Sequence, residues 1–138
     1  MPSTIMNYYQ KDLFGLDTPL KFQLLKWIGN KQKFAYEIIN RFPKRFKKYH
    51  EPFMGSAAIL GSLAPKQGIG SDIFEPLVEI FKNLKNNPDI LKKWYAERWE
   101  ITSGPKKKEG YEKIKKSFNL NHNPADFLFL TRSCYGGV

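Results

Sequence analysis

Two short stretches of the sequence place acids and glycines in an order that suits ligand binding. In EPFMGSAAILG, residues 51–61, Glu51 precedes a glycine turn at Gly55, and an apolar run follows. In GIGSDIFEP, residues 68–76, Asp72 lies 17 residues after Gly55. In nucleotide-binding units an acid at about this distance accepts hydrogen bonds from ribose hydroxyls, and a glycine lets the ligand approach the backbone closely.

This pattern has an ordinary structural alternative. Only one glycine stands in the tight turn, so the pattern is thinner than GxGxxG, and no Walker lysine follows. A triphosphate P-loop is therefore disfavoured. The alternative is a simple glycine turn, with Asp72 capping the next helix. The spacing alone leaves both interpretations open.

A third stretch, LKWIGNKQKF, residues 25–34, adds an aromatic ring, a glycine turn and several cations. Trp27, Gly29 and Lys31 together could clamp a ligand that has a carboxylate and a purine ring. The alternative is a helix start with a hydrophobic staple and solvated lysines. This stretch alone also leaves the choice open.

The elements that must position these residues alternate between helices and short strands. Residues 49–53 and 69–73 are predicted to be strands, and the order helix, strand, helix, strand, helix predicts an α/β fold with parallel pairing. Two strands make a poor sheet, so part of the fold is expected to be missing. We expect a solvated loop over 102–110 and helix caps or starts at Ser56, Pro76, Pro88 and Asn123.

Composition restricts the class of protein. The chain has 138 residues, of which 41% are hydrophobic, and this fits one packed domain. Its net charge of +10 favours a polyanionic partner, nucleic acid first, over the alternative of a merely solvated basic surface. The lone Cys134 and the absence of a Cys/His cluster predict no disulfide, no zinc and a reducing, cytoplasmic location. No signal peptide or membrane span is predicted.

Taken together, these stretches resemble the Dam-like, D12-class DNA adenine-N6 methyltransferases. Lys26, Trp27, Gly29 and Lys31 match the family's KW-x-G-x-K block. The 51–57 stretch resembles its Phe-x-Gly-x-Gly cofactor loop, and 71–73 resembles its Asp-Ile/Asn strand end. FLFLTRSCYGG, residues 127–137, is similar to the block of an apolar run, an arginine and Tyr-Asn-Gly. The resemblance spans residues 25–138, four blocks in order.

The resemblance implies a partial Rossmann-like fold of S-adenosylmethionine-dependent methyltransferases, with S-adenosylmethionine as the cofactor. Lys31 would bind the methionine carboxylate and Glu51 its ammonium group, while Asp72 would bind the ribose hydroxyls. Ala57 departs from the family, which usually has glycine there. The full set of cofactor-binding residues that the resemblance implies is Trp27, Gly29, Lys31, Glu51, Phe53, Gly55, Asp72 and Ile73.

Double-stranded DNA is the partner that the resemblance implies, with Lys26, Arg132 and Tyr135 as candidate contacts. Gly136 stands where the family usually has asparagine, and Thr131 replaces a frequent asparagine. For Arg132 the alternative is a contact at a helix end.

The family's Asp-Pro-Pro-Tyr motif, which grips a flipped adenine, does not occur in the 138 residues, so no catalytic residue is assigned. We therefore expect a leader over 1–20 and, over 21–138, the N-terminal, cofactor-binding part of a catalytic domain. A C-terminal remainder or second subunit would supply the motif, and this chain alone would be inactive.

The function that the resemblance implies is site-specific adenine-N6 methylation of duplex DNA, in restriction-modification or in phage evasion of defence. The alternative is a non-catalytic DNA- or partner-binding module derived from a methyltransferase. A generic dinucleotide-binding domain is disfavoured because it has no place for the 25–31 and 127–137 blocks.

Overall fold

The computed structural model describes residues 10–11, 17–18 and 23–134. These residues form two compact units. The strand unit contains the described residues up to Asp72, apart from 25–28. The helical unit contains 25–28 and 73–134.

The strand unit consists of short elements. Two of its strands, β1 and β2, pair antiparallel and fall within the leader predicted for residues 1–20, most of which lies outside the described residues. The others, β3 and β4, are parallel and lie on either side of α2 in the chain. The elements are β1 (Gln10–Lys11), β2 (Asp17–Thr18), a 3-10 helix (Gln32–Phe34), α1 (Ala35–Asn40), β3 (Tyr49–Glu51), α2 (Ala58–Leu63) and β4 (Gly68–Gly70).

The predicted parallel strand pair is confirmed, although both strands are shorter than expected. Tyr49 pairs with Gly68 and Glu51 with Gly70. Hydrogen bonds continue past the end of β4, because the Ser71 N–H donates to the Glu51 carbonyl at 2.9 Å and the Met54 N–H donates to the Ser71 carbonyl at 3.0 Å. These bonds tie the residues after β3 to those after β4.

The glycines of β4 allow α2 to pack closely on the sheet. A Cβ atom at Gly70 would lie 2.6 Å from the Met54 sulfur, and one at Gly68 would lie 2.8 Å from a Leu60 methyl. Both distances are too short for a real contact. The two glycines therefore let β4 approach the segment that follows β3.

The core of the strand unit lies between α1 and α2. Ala35 and Ile39 of α1 and Ile59 and Leu63 of α2 are buried together. The two buried residues of α1 are four positions apart, as are those of α2, so each pair shares one face of its helix. This core anchors both ends of the segment that links α1 through β3 to α2.

The helical unit consists of four helices that pack on one another. The helix starts predicted at Pro76 and Pro88 are confirmed, and Asn123 caps α6 by accepting the Ala125 N–H at 2.8 Å. The solvated loop predicted over 102–110 is wrong in its second half, because helix begins at Lys107. The helices are α3 (Glu75–Asn86), α4 (Pro88–Ile101), α5 (Lys107–Asn121) and α6 (Pro124–Ser133).

A buried polar network joins three of these helices. Asp126 of α6 is 3% exposed and accepts from the Arg98 guanidinium of α4 at 2.9 Å. Its second oxygen accepts from the Ser117 hydroxyl of α5 at 2.6 Å. The most buried large apolar side chains of the helical unit are those of Leu25, Leu77, Ile80 and Phe129.

Mixed helices and a small parallel sheet confirm the α/β class. Among the described residues, no helix combines the length and apolar character needed to cross a membrane. The same part of the chain contains no cluster of three or more His, Cys, Asp or Glu side chains that could hold a metal ion.

Candidate functional site

The loop between β3 and α2 makes a tight turn with unusual backbone angles. Gly55 has a φ of +49°, and the Ala57 N–H donates to the Met54 carbonyl at 2.7 Å to close the turn. Ala57 itself has φ 54° and ψ 34°, in the left-handed region. The sequence predicts a turn here, and the glycine at its centre meets the backbone requirement without strain.

The predicted N-cap at Ser56 is wrong. Helix α2 begins at Ala58, Ala57 occupies the cap position, and no cap side chain bonds the helix N-terminus. The Ser56 hydroxyl oxygen is instead buried and has no hydrogen-bond partner among the described residues. A buried hydroxyl without a partner is costly.

The two residues that the sequence separates by 17 positions meet in the structure. The Gly55 N–H donates to the Asp72 carboxylate at 3.0 Å. The capping alternative for Asp72 is wrong, because α3 follows Phe74 and has no side-chain cap. Asp72 therefore joins the turn after β3 to the chain after β4.

Glu51, at the end of β3, is 7% exposed. One of its carboxylate oxygens accepts the Leu60 N–H of α2 at 2.9 Å, and the Tyr49 hydroxyl bonds to the same carboxylate. Burial raises the pKa of Glu51, while the bonds from Leu60 and Tyr49 and the Lys31 charge act in the lowering direction. Burial, with the Glu51 charge second, also raises the pKa of Tyr49 to about 12.

This cluster includes a residue that the sequence analysis missed. Tyr49 lies two positions before Glu51 on β3, so their side chains share one face of the strand. The alternation of side chains along a strand is the sequence signal from which Tyr49 could have been predicted. The influence of Lys31 on Glu51 shows that two predicted site residues lie near each other in the strand unit.

Two other predicted residues of the strand unit have open space around them. Gly29 has a φ of +68°, and a Cβ atom there would meet no atom within 4 Å. Phe53, in the β3–α2 loop, is 79% exposed. Such exposure is unusual for a large apolar side chain in a short loop and fits a surface that another group covers.

The remaining candidates belong to the helical unit. Trp27 packs against the rings of Phe74 and Phe127, each with a centroid distance of 6.0 Å. Ile73 is 96% exposed.

The predicted DNA contacts are also in or beside this unit. Lys26 and Arg132 are exposed, and Arg132 stands near the end of α6. Tyr135 lies outside the described residues.

The comparison with known families defines the class of this chain. Residues 27–138 match the model of the D12 class N6 adenine-specific DNA methyltransferases. The match covers most of the chain, so the protein belongs to this family. The family prediction made from the four sequence blocks is confirmed.

Individual relatives of the chain are also named as methyltransferases. The chain is 36% identical to the type II methyltransferase M.MjaIII of Methanocaldococcus jannaschii over an alignment of 133 positions. This alignment covers 83% of this chain and 46% of the relative. The chain is 29% identical to the type II methyltransferase M1.LlaDCHI of Lactococcus lactis subsp. cremoris, over 62% of this chain and 28% of the relative. A DNA N-6-adenine-methyltransferase of Escherichia phage P1 is 28% identical over 83% of this chain and 15% of its own length. The chain thus spans less than half the length of each of these relatives.

Proposed function

We propose that the complete protein transfers a methyl group from S-adenosylmethionine to adenine N6 at specific sites in double-stranded DNA. Membership of the D12 family and the names of the relatives support this activity. The single structural observation behind it is the hydrogen bond from the Gly55 N–H to Asp72. This bond joins the Gly55 turn to the carboxylate that the resemblance assigns to the ribose, and so supports a cofactor site there.

The strand unit has groups that fit this cofactor. The left-handed Gly55 and the partnerless Ser56 hydroxyl form a turn that can accept polar atoms. Asp72 would hold ribose hydroxyls, and Lys31 would hold the methionine carboxylate. A ligand ammonium beside Glu51 would offset the desolvation that raises the pKa of this carboxyl. When bound, the cofactor supplies an electrophilic methyl group.

The finer assignments are proposals that the family supports. They are a partial Rossmann-like methyltransferase fold, a cytoplasmic location, a restriction-modification role, and cofactor contacts by Trp27, Gly29, Phe53 and Ile73. The Asp-Pro-Pro-Tyr motif would come from a C-terminal remainder or a second subunit. The 138-residue chain alone would then be inactive, because these residues include no such motif.

Calorimetry of S-adenosylmethionine binding to the complete protein tests the cofactor site. Asp72→Ala should weaken binding by about 1.5–3 kcal/mol, the value of hydrogen bonds to a charged group. Asp72→Asn can still accept the Gly55 N–H, so it separates ligand binding from support of the turn. Asp89→Ala, which removes an exposed acid of α4, is the matched control and should bind normally. Unchanged affinity in both Asp72 variants would remove this residue from the site.

Methyl transfer to mixed-sequence DNA tests the activity. The complete protein should form N6-methyladenine, and the 138-residue chain should not. DNA binding without methylation by the complete protein would instead support the non-catalytic module. Methylation by the chain alone, abolished by Asp72→Ala, would contradict the need for a second part.

A further inference from the structure

A cavity with a volume of about 540 Å³ lies within the helical unit. Five aromatic rings line it, and four of them pack on one another. Phe118 and Phe127 are stacked with centroids 5.5 Å apart, and Phe74 meets Phe127 edge-on at 5.0 Å. The volume falls within the roughly 300–1,000 Å³ typical of small-molecule sites. The other two rings are those of Trp27 and Tyr111.

The polar groups of the cavity come mainly from one face of α5. Tyr111, Lys115 and Asn119 follow one another at intervals of four residues, so they share a side of the helix. Lys115 and Asn119 are exposed and therefore stand at the rim. Burial, the largest cause, raises the pKa of Tyr111, so its phenol stays protonated. The lining has no aspartate or glutamate.

Lys115 gives the polar part of this cavity a positive charge that no carboxylate of the lining offsets. Its ammonium can only donate hydrogen bonds, whereas the Asn119 amide and the Tyr111 hydroxyl can each donate or accept. The Thr131 hydroxyl, also in the lining, already donates to the Leu128 carbonyl at 3.1 Å. A ligand with carbonyl oxygens would suit the Lys115 charge, whereas a ligand with an amino group would find only neutral acceptors.

The charge of α5 indicates the kind of molecule that supplies such a ligand. Its sequence, KKEGYEKIKKSFNLN, has five lysines and two glutamates. A basic surface beside aromatic rings that line a cavity is a combination with which proteins hold unpaired bases, because the cations attract the backbone and the rings stack on the base.

We propose that this cavity binds an unpaired nucleobase of DNA whose edge has carbonyl oxygens and no amino group, which is thymine. The base would stack among the rings, with Lys115 and Asn119 at its carbonyl edge. The inference rests on the proposed function only in taking DNA as the ligand. It concerns a base other than the methylated adenine, whose amino group needs acceptors.

Affinities for short single strands of oligo(dT) and oligo(dC) test this assignment. The two bases differ at position 4, where thymine has a carbonyl oxygen and cytosine an amino group. Thymine also has a C5 methyl group, and its N3 is protonated where that of cytosine is an acceptor. Oligo(dT) should bind the 138-residue chain at least about fivefold more tightly. Binding of oligo(dT) should also quench the fluorescence of Trp27, which is the part of the emission that the Trp27→Phe variant lacks. No cofactor is needed, so failure of methylation would not affect the result.

Two lysine variants of α5 separate the cavity from general charge attraction. Lys115→Gln should abolish the preference for oligo(dT). Lys113→Gln removes the same charge from an exposed position outside the cavity and should weaken both strands equally. Equal affinity of the native chain for the two strands, or loss of preference in both variants, would overturn the proposal. Trp27 fluorescence that stays unchanged when oligo(dT) is added would also overturn the proposal. It would favour an apolar protein segment as the occupant of the cavity.

Discussion

Ala57 holds a backbone conformation that alanine rarely adopts. Its φ of 54° lies in the left-handed region, where the Cβ atom of an alanine raises the conformational energy by roughly 1–2 kcal/mol. The D12 resemblance places a glycine at this position in most members. The structure supplies the physical reason, because the turn between β3 and α2 requires a positive φ there.

This strain can be measured against a neighbour. Ala57→Gly and Ala58→Gly each remove one buried methyl group, since the two residues are 8% and 6% exposed. Both changes also loosen the unfolded chain, but only Ala57→Gly relieves a left-handed alanine. Urea unfolding should therefore show Ala57→Gly to be less destabilising than Ala58→Gly by about 1–2 kcal/mol. Equal losses would mean that the turn is not strained.

Glu51 gives the stability of the protein a pH dependence. Its raised pKa means that the native state binds this proton more tightly than the unfolded chain does. Unfolding free energy is therefore lost as pH rises from about 4.5, the ordinary value, through the raised native pKa. Glu51→Gln cannot ionise and can still accept the Leu60 N–H.

The pH dependence of stability is tested by comparing the unfolding free energies of the native protein and of Glu51→Gln at different pH values. Relative to the native protein, Glu51→Gln should gain stability as pH rises through this range and then level off. Denaturant unfolding at a series of pH values gives this difference directly. A difference that is constant with pH, or that falls as pH rises, would show that burial does not raise the pKa of Glu51.

At the scale of elements, the helical unit depends on one buried charge pair. Asp126 connects α4 and α5 to α6 through Arg98 and Ser117. Asp126→Ala would leave the Arg98 guanidinium with only the partly exposed Glu97 as its partner and would remove the acceptor of Ser117, at a cost of about 1–3 kcal/mol. The measurement is the free energy of unfolding by urea.

The exposed pair of Lys92 and Asp89, at 2.8 Å on α4, provides the control. Asp89→Ala removes a carboxylate of the same kind, but solvent screens that pair. Its loss should be far smaller than that of Asp126→Ala. Comparable losses would contradict a structural role for the Asp126 network.

At the scale of the whole molecule, the +10 charge predicts salt-sensitive binding to DNA. The exposed lysines and arginine of the basic turn, residues 44–48, and the lysines of 106–108 are the concentrated patches. If the complete protein neutralises six phosphates, a plot of log affinity against log salt should have a slope of about −5. Replacing the lysines of one patch by glutamine should make the slope shallower. A flat titration would mean that the basic patches are merely solvated.

The sequence by itself determined the family and the parallel strand pair. These features depend on local patterns, such as apolar period, turn glycines and fixed spacing, that a linear sequence displays directly. The helix starts at Pro76, Pro88 and Asn123 were predictable for the same reason, because proline geometry and capping act within one turn.

Tertiary structure alone decided which groups meet across the chain. Packing between distant elements decides several features: the positive φ of Ala57, the burial of the Ser56 hydroxyl, the network of Asp126 with Arg98, and the aromatic cavity of the helical unit. Helix α5 begins at Lys107, within a run of three lysines, although positive charge is unfavourable at a helix start, so the local charge pattern does not indicate this boundary. Contacts of this kind are set by three-dimensional distance and burial, and sequence spacing records neither.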